Sequence, residues 1–167
     1  MSFKALGLSS SLLEILEKKD YKAAYPIQEA AIPVILNGRD VLGIAPTGSG
    51  KTAGYVLPVL NTLNRKKGAK DRQVDVLVLV PTRELAEQVK EVFTHFEKGL
   101  EHSAPVMAVY GGVSINPQMK ALFGISVLVA TPGRLLDLVG SNAVQFDHLQ
   151  TLILDEADKL LNLGFKD

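Results

Sequence analysis

The 167-residue chain contains no cysteine. That excludes a disulfide framework and any thiolate zinc site. It also lacks charge of one sign: 18 basic residues are cancelled by 18 acidic ones. Global charge therefore gives no argument for nucleic-acid binding, and any such site must be local. No apolar run is long enough to span a bilayer, and the opening MSFKALGLS lacks the basic-then-apolar order of a signal peptide. A cytoplasmic protein is the resulting expectation. His95, His102 and His148 are scattered without metal-ligand spacing. The rest is ordinary: 47% of residues are hydrophobic and 22% charged, which fits one globular domain with a core.

Helix signals open the chain. Ser11 with Glu14 reads as a capping box for the helix LLEILEKK. Pro26 suits the first turn of a second helix, IQEAAIPVIL, which Asn37-Gly38 ends. Strand and helix patterns then alternate. Strands are predicted at Val41–Ile44, Val74–Val80, Val106–Tyr110, Ser126–Ala130 and Thr151–Leu154. Helices are predicted at Lys51–Leu63, Glu84–Phe96, Pro117–Leu122 and Arg134–Val139, with a last one after Asp158. Alternation with near-continuous apolar strands implies an α/β fold, a parallel sheet with helices on both faces. The polar stretch Asn64–Gln73 reads as a surface loop.

Two segments carry chemistry. Residues 45–52 read APTGSGKT, after the predicted strand Val41–Ile44. Gly48 and Gly50 allow a tight turn whose N–H groups cradle phosphates, and a helix N-terminus follows at Lys51. Pro46, Thr47, Gly48, Ser49, Gly50, Lys51 and Thr52 are therefore candidate nucleotide ligands. Lys51 would bridge the β- and γ-phosphates, and the Thr52 hydroxyl would ligate Mg²⁺. Ala45 stands where the usual phosphate-loop pattern has its first glycine. The second segment is DEAD at 155–158, at the end of the apolar run Thr151–Leu154. Asp155 is the candidate Mg²⁺ contact, through water, and Glu156 the group that orients and deprotonates an attacking water. Asp158 is equally explained as a helix N-terminal carboxylate. Together the two segments imply nucleoside-triphosphate hydrolysis.

With these placed, the chain resembles the first RecA-like domain of the DEAD-box ATP-dependent RNA helicases, with the flavour of the bacterial RhlE-like group. APTGSGKT, PTRELAEQ at 81–88, Gly111-Gly112, TPGR at 131–134 and DEAD follow in the family's order. The resemblance implies a RecA-like P-loop NTPase fold using ATP and Mg²⁺. It divides the chain into N-terminal helices with an adenine-recognition motif, 1–37, and an ATP-binding domain, 38–167. Gln28 would read the adenine edge and Phe3 would pack on the ring. Asp20, Ala24 and Tyr25 stand where that motif usually has Gly, Pro and Thr. Pro81, Thr82, Arg83, Gly112, Thr131, Gly133 and Arg134 would form a track for the RNA backbone, blind to base identity. Arg83 offers a rigid fork for phosphate oxygens, while Thr82 and Thr131 could equally be helix caps. Glu87 and Gln88 read as solvated helix face.

The resemblance also implies a further strand beyond Asp167, central to the sheet, and a second RecA-like domain as partner. The 167 residues are thus expected to be an incomplete domain that binds nucleotide weakly, hydrolyses it slowly and does not unwind RNA alone. The rival readings are another phosphate-loop enzyme, such as a DNA helicase, and a nucleotide-gated binding module.

Overall fold

The computed structural model describes residues 2–63, 72–100 and 104–162. By packing, the chain forms two compact units: Met1–Asn64 with Val92–Ser103, and Arg65–Glu91 with Ala104–Asp167. Most of the predicted polar loop Asn64–Gln73 lies outside the described residues. No helix among the described residues is long and apolar enough to cross a membrane.

The first unit is helical. After a 3₁₀ turn at Phe3–Leu6 come α1 (Ser10–Lys18), α2 (Pro26–Leu36) and α3 (Lys51–Thr62). The cap of α1 is Ser9, whose hydroxyl accepts the Leu12 N–H, not the predicted Ser11. Ser11 lies inside the first turn, where its Oγ sits 3.1 Å from Ser9 Oγ. Pro26 begins α2 as expected, and Gly38 follows the Asn37 cap in a left-handed conformation. Leu12, Leu16 and Ile32 are fully buried. α3 packs on α2 at Gly54, where a Cβ would come into ordinary van der Waals contact, 3.6 Å, with Gln28 Cγ.

The predicted strand Val41–Ile44 is absent: the segment forms no ladder among the described residues, and Leu42 and Ile44 are 86% and 83% exposed. A strand exists only through its neighbours' hydrogen bonds, and its apolar pattern records burial between neighbours rather than a preference of the isolated segment.

The residues from Val92 onward in α4 (Arg83–Glu97) pack in this unit through edge-on ring contacts. Phe96 meets Tyr21 at 5.3 Å and His95 at 5.1 Å between centroids. Lys19 Nζ sits 3.4 Å from His95 Nδ1, a contact that suits the neutral ring as acceptor. Desolvation, then the charges of Lys19 and Lys98, hold the His95 imidazole below its ordinary value of 6.5. Protonation thus favours the unfolded chain. The contribution of His95 to stability is complete above the ordinary imidazole value and is lost as pH falls through the lower folded-state value. A His95→Gln protein should therefore lose less melting temperature than wild type between pH 7 and pH 5 (roughly the imidazole window), which a thermal melt series measures.

The second unit holds a four-stranded parallel sheet, β1 (Val76–Leu79), β2 (Val106–Val109), β3 (Val127–Ala130) and β4 (Thr151–Leu154), in the order β2-β3-β1-β4. Between them run α5 (Ile115–Ala121) and α6 (Pro132–Gly140), and α7 (Ala157–Asn162) follows β4. The fold class is as predicted. All four side chains of β3 are buried, so the sheet is covered on both faces there, as its unbroken apolar run requires. Val109, Leu122, Leu128, Leu138 and Val144 form the core against it. β4 differs. Leu152 and Leu154 are 55% and 52% exposed, and β4 pairs only with β1 among the described residues.

Candidate functional site

The phosphate-loop candidate belongs to the first unit. Gly50 is the N-cap of α3 with φ +85°, a conformation that disfavours any side chain. A Cβ there would also sit 2.5 Å from Gln28 Nε2 and 2.9 Å from Tyr25 Cδ2. Gln28 is 1% exposed, so it is not a solvated residue of the α2 surface. Its Oε1 accepts the Tyr25 N–H at 2.9 Å, and its Nε2 donates to the Gly50 carbonyl at 3.0 Å. A single buried amide thus ties the start of α2 to the start of α3.

The loop's chemistry suits an anionic oxygen. Lys51 Nζ donates to the carbonyls of Ala45 and, at 3.0 Å, of Pro46, which hold the ammonium over the loop. The Ser49 hydroxyl is buried with no hydrogen-bond partner among the described residues. Gly48 is left-handed, and a Cβ on it would meet nothing within 4 Å, so the loop has room on that side. Orphaned hydroxyl, lysine, helix N-terminus and open glycine fit a phosphate tail. Thr52, in the first turn of α3, is half-buried. Phe3 is buried at 4% exposure beside a concavity of ≈ 360 Å³ that Leu16 and Tyr21 also line.

The other candidates belong to the second unit, and the sheet brings them together. Its strands are parallel and in register at their C-terminal ends: Leu79 pairs with Ala130 and with Leu154, and Val109 pairs with Ala130. Every segment that follows a strand therefore leaves from the same end of the sheet, where open α/β sheets bind ligands. Pro81–Arg83 follow β1, Tyr110–Gly112 follow β2, Thr131–Arg134 follow β3, and Asp155–Glu156 follow β4. Backbone bonds carry the ladder past the strands: Val80 N–H to Ala130 O at 3.0 Å, Thr131 N–H to Val109 O at 3.1 Å, and Asp155 N–H to Leu79 O at 3.0 Å.

The two threonines differ. Thr82 Oγ1 accepts the Leu85 N–H at 3.2 Å and so caps α4. Thr131 precedes α6 with no side-chain cap bond. Gly112 is left-handed at φ +79°, and a Cβ on Gly111, Gly112 or Gly133 would meet nothing within 4 Å. Arg83 is exposed, 4.0 Å from Glu84 and 5.6 Å over the Tyr110 ring. Arg134 is not at the surface: it is 7% exposed and its Nη2 donates to Val113 O at 2.8 Å.

Glu87 departs from the sequence reading. It accepts Lys90 Nζ at 2.9 Å and the Tyr110 hydroxyl. Burial pushes its carboxyl up, but those hydrogen bonds and the charges of Lys90 and Arg83 outweigh burial and leave it below the ordinary value. The same bond to Glu87 raises the Tyr110 phenol. Helical periodicity places Glu87 on α4, but nothing local in sequence joins it to Tyr110. Gln88 is exposed, as read.

At the end of β4, Glu156 adopts φ +51°, left-handed backbone in a residue with a side chain. Asp155 Oδ1 accepts the Glu156 N–H at 2.9 Å, and Glu156 Oε2 pairs with Lys159 at 2.9 Å. Non-glycine strain of this kind concentrates at functional sites. Among the described residues no three histidine, cysteine or acidic groups could hold a metal ion by themselves. Asp155 and Glu156 offer carboxylate oxygens, the donor class that hard divalent cations take.

Comparison with known proteins gives the family and the fold. The DEAD/DEAH box helicase family model matches residues 25–167. The ATP-dependent RNA helicase CshA of Limosilactobacillus reuteri is 43% identical over 166 residues, 99% of this chain and 32% of that protein. The ATP-dependent RNA helicase DeaD of Escherichia coli K12 is 46% identical over 165 residues, 98% of this chain and 25% of that protein. The crystal structure of a DEAD box protein from the hyperthermophile Methanococcus jannaschii superposes with a TM-score of 0.89 at 36% identity, over 99% of this chain and 44% of that one. The RNA helicase Prp28 from Chaetomium thermophilum bound to ADP superposes at 0.87 with 37% identity, over 98% and 40%. The chain spans between a quarter and a third of the length of these curated relatives.

Proposed function

The chain belongs to the DEAD/DEAH box helicase family, and from that premise we propose that it is the first core domain of an ATP-dependent RNA helicase. In this reading it binds ATP with Mg²⁺ and the RNA backbone, and a second RecA-like domain of the same protein completes the working enzyme. The division into an adenine-recognition region, 1–37, and an ATP-binding domain, 38–167, belongs to the same proposal, as do the RhlE-like placement and a cytoplasmic location.

The phosphate loop Pro46–Thr52 would hold the nucleotide, with Lys51 on the β- and γ-phosphates. Thr52 is the candidate metal ligand in the first unit and Asp155 the candidate in the second; a magnesium ion, when bound, would supply charge neutralisation to the phosphates. Glu156 would take a proton from the attacking water, and its φ of +51° fixes the direction in which the carboxylate leaves the strand. Gln28 would face the adenine while gripping Gly50, so that base recognition and loop shape share one side chain. Phe3 would pack near the base.

The observation that carries the nucleic-acid half is the alignment of Pro81–Arg83, Gly111-Gly112 and Thr131–Gly133 at one end of the sheet. What they present is a guanidinium, a free threonine hydroxyl and open glycine backbone. Such groups contact sugar and phosphate and carry no base code. The expected result is that the full-length protein binds oligo(U), oligo(A) and mixed-sequence RNA within about threefold of one another, since base readout would add a discrimination of about 1–3 kcal/mol per base. Fluorescence anisotropy measures this, and a strong preference for one sequence would contradict it.

A further inference from the structure

The loop Tyr110–Ser114 is held from inside at both shoulders. Gln118 of α5 is 9% exposed, and its Nε2 donates to Tyr110 O at 3.2 Å. Arg134 of α6 is 7% exposed, and its Nη2 donates to Val113 O at 2.8 Å. Between those two carbonyls lie Gly111 and Gly112, both exposed and both with open space where a Cβ would be. On the outer side, the Tyr110 hydroxyl bonds to Glu87 of α4. Three helices thus each send one side chain to a loop of five residues, and the three bonds go to Tyr110 and Val113, on either side of the glycine pair.

The Arg134 guanidinium is costly where it lies. Its Nε and Nη1 make no hydrogen bond among the described residues, although Nε stands 3.4 Å from the Asp137 carboxylate. Burying a guanidinium that is only partly satisfied is poor stability design, since apolar residues of similar volume often serve as well or better. Gln118 repeats the pattern: its Oε1 is buried without a partner. Two incompletely satisfied polar side chains, converging on the two carbonyls that bracket one glycine pair, point to a demand for loop shape.

We propose that Arg134 and Gln118 are positioning residues that hold the Gly111-Gly112 backbone as a rigid platform for an RNA sugar-phosphate backbone. Arg134 does not itself touch the phosphate. The inference rests on the RNA-backbone reading above and changes the role of Arg134 within it. A fixed loop meets the strand without first losing its own conformational freedom, so loosening it weakens binding while every charge contact remains.

The test separates contact from positioning by salt dependence. The affinity of the full-length protein for a labelled single-stranded RNA is measured between about 50 and 200 mM salt for wild type, Arg134→Met and Gln118→Met, with thermal melting as the folding control. Both variants are expected to bind about tenfold more weakly, the equivalent of a hydrogen-bonded constraint lost. Both should keep the wild-type slope of log affinity against log salt. A slope reduced by about 0.7 in Arg134→Met would mean that a phosphate contact has been removed, and would overturn the proposal. Wild-type affinity in Gln118→Met would also overturn it, and that neutral variant decides the matter if Arg134→Met does not fold. A wild-type protein that binds no RNA would overturn both this inference and the reading beneath it, whereas RNA binding without variant effects sinks the inference alone.

Discussion

A Glu156→Gln protein is expected to bind ATP like wild type and to hydrolyse it about 10²–10⁴-fold more slowly, the usual scale of a lost general base. The substitution keeps size and hydrogen-bonding reach but removes the proton acceptor. It also removes the ion pair with Lys159, whose side chain is 61% exposed while that of Glu156 is 34% exposed. Pairs this open to solvent contribute little, so the fold should survive. The turn is held by the Glu156 N–H to Asp155 Oδ1 and the Asp155 N–H to Leu79 O, and neither bond uses the replaced group. Nucleotide titration and single-turnover hydrolysis separate the two effects. Retained hydrolysis would move the general-base role to another group.

Gly50→Ala is expected to damage both stability and nucleotide binding. An alanine at φ +85° costs about 1–2 kcal/mol in backbone strain alone. Its methyl would also need the space of Gln28 Nε2, 2.5 Å away, and of Tyr25 Cδ2, 2.9 Å away. Gln28 has nowhere to retreat at 1% exposure, so its bond to Gly50 O would break and leave buried groups unpaired, at about 1–3 kcal/mol. The sum, about 2–5 kcal/mol, corresponds to a fall of roughly 5–15 °C in melting temperature for a domain of this size. Gly48→Ala is the control. It shares the positive φ, but its Cβ meets nothing within 4 Å, so only the strain remains. Equal losses in the two variants would refute the role given to the Gln28 contact.

The sheet was legible in the sequence because its strands are encoded by what covers them. VLVL and VLVA are apolar at every position, and every side chain of β3 and all but one of β1 proved buried. The αβ alternation then implied parallel strands and placed Thr82, Gly112, Thr131 and Asp155 beyond strand ends, while the strand order came from the structure. Val41–Ile44 carries the same signal and is not a strand, because pattern records the neighbours a segment is built for, while hydrogen-bonded pairing decides whether the strand exists. The long-range side-chain contacts had no local signal. Gln28 meets Gly50 across 22 positions, and Arg134 meets Val113 across 21. Helical periodicity shows neither a buried amide nor a buried guanidinium when the apolar partners expected at such sites are replaced by backbone carbonyls. The left-handed Glu156 was equally hidden, since Asp155 and Leu79 impose that turn from the adjoining strand end.

As the proposed first core domain of an RNA helicase, the chain would couple nucleotide hydrolysis to RNA. The most direct measurement is the steady-state ATPase rate of the full-length protein with single-stranded RNA, with DNA of the same sequence, and with neither. The predicted result is a rate that rises with RNA and barely changes with DNA. Equal stimulation by DNA, or hydrolysis indifferent to both, would contradict it.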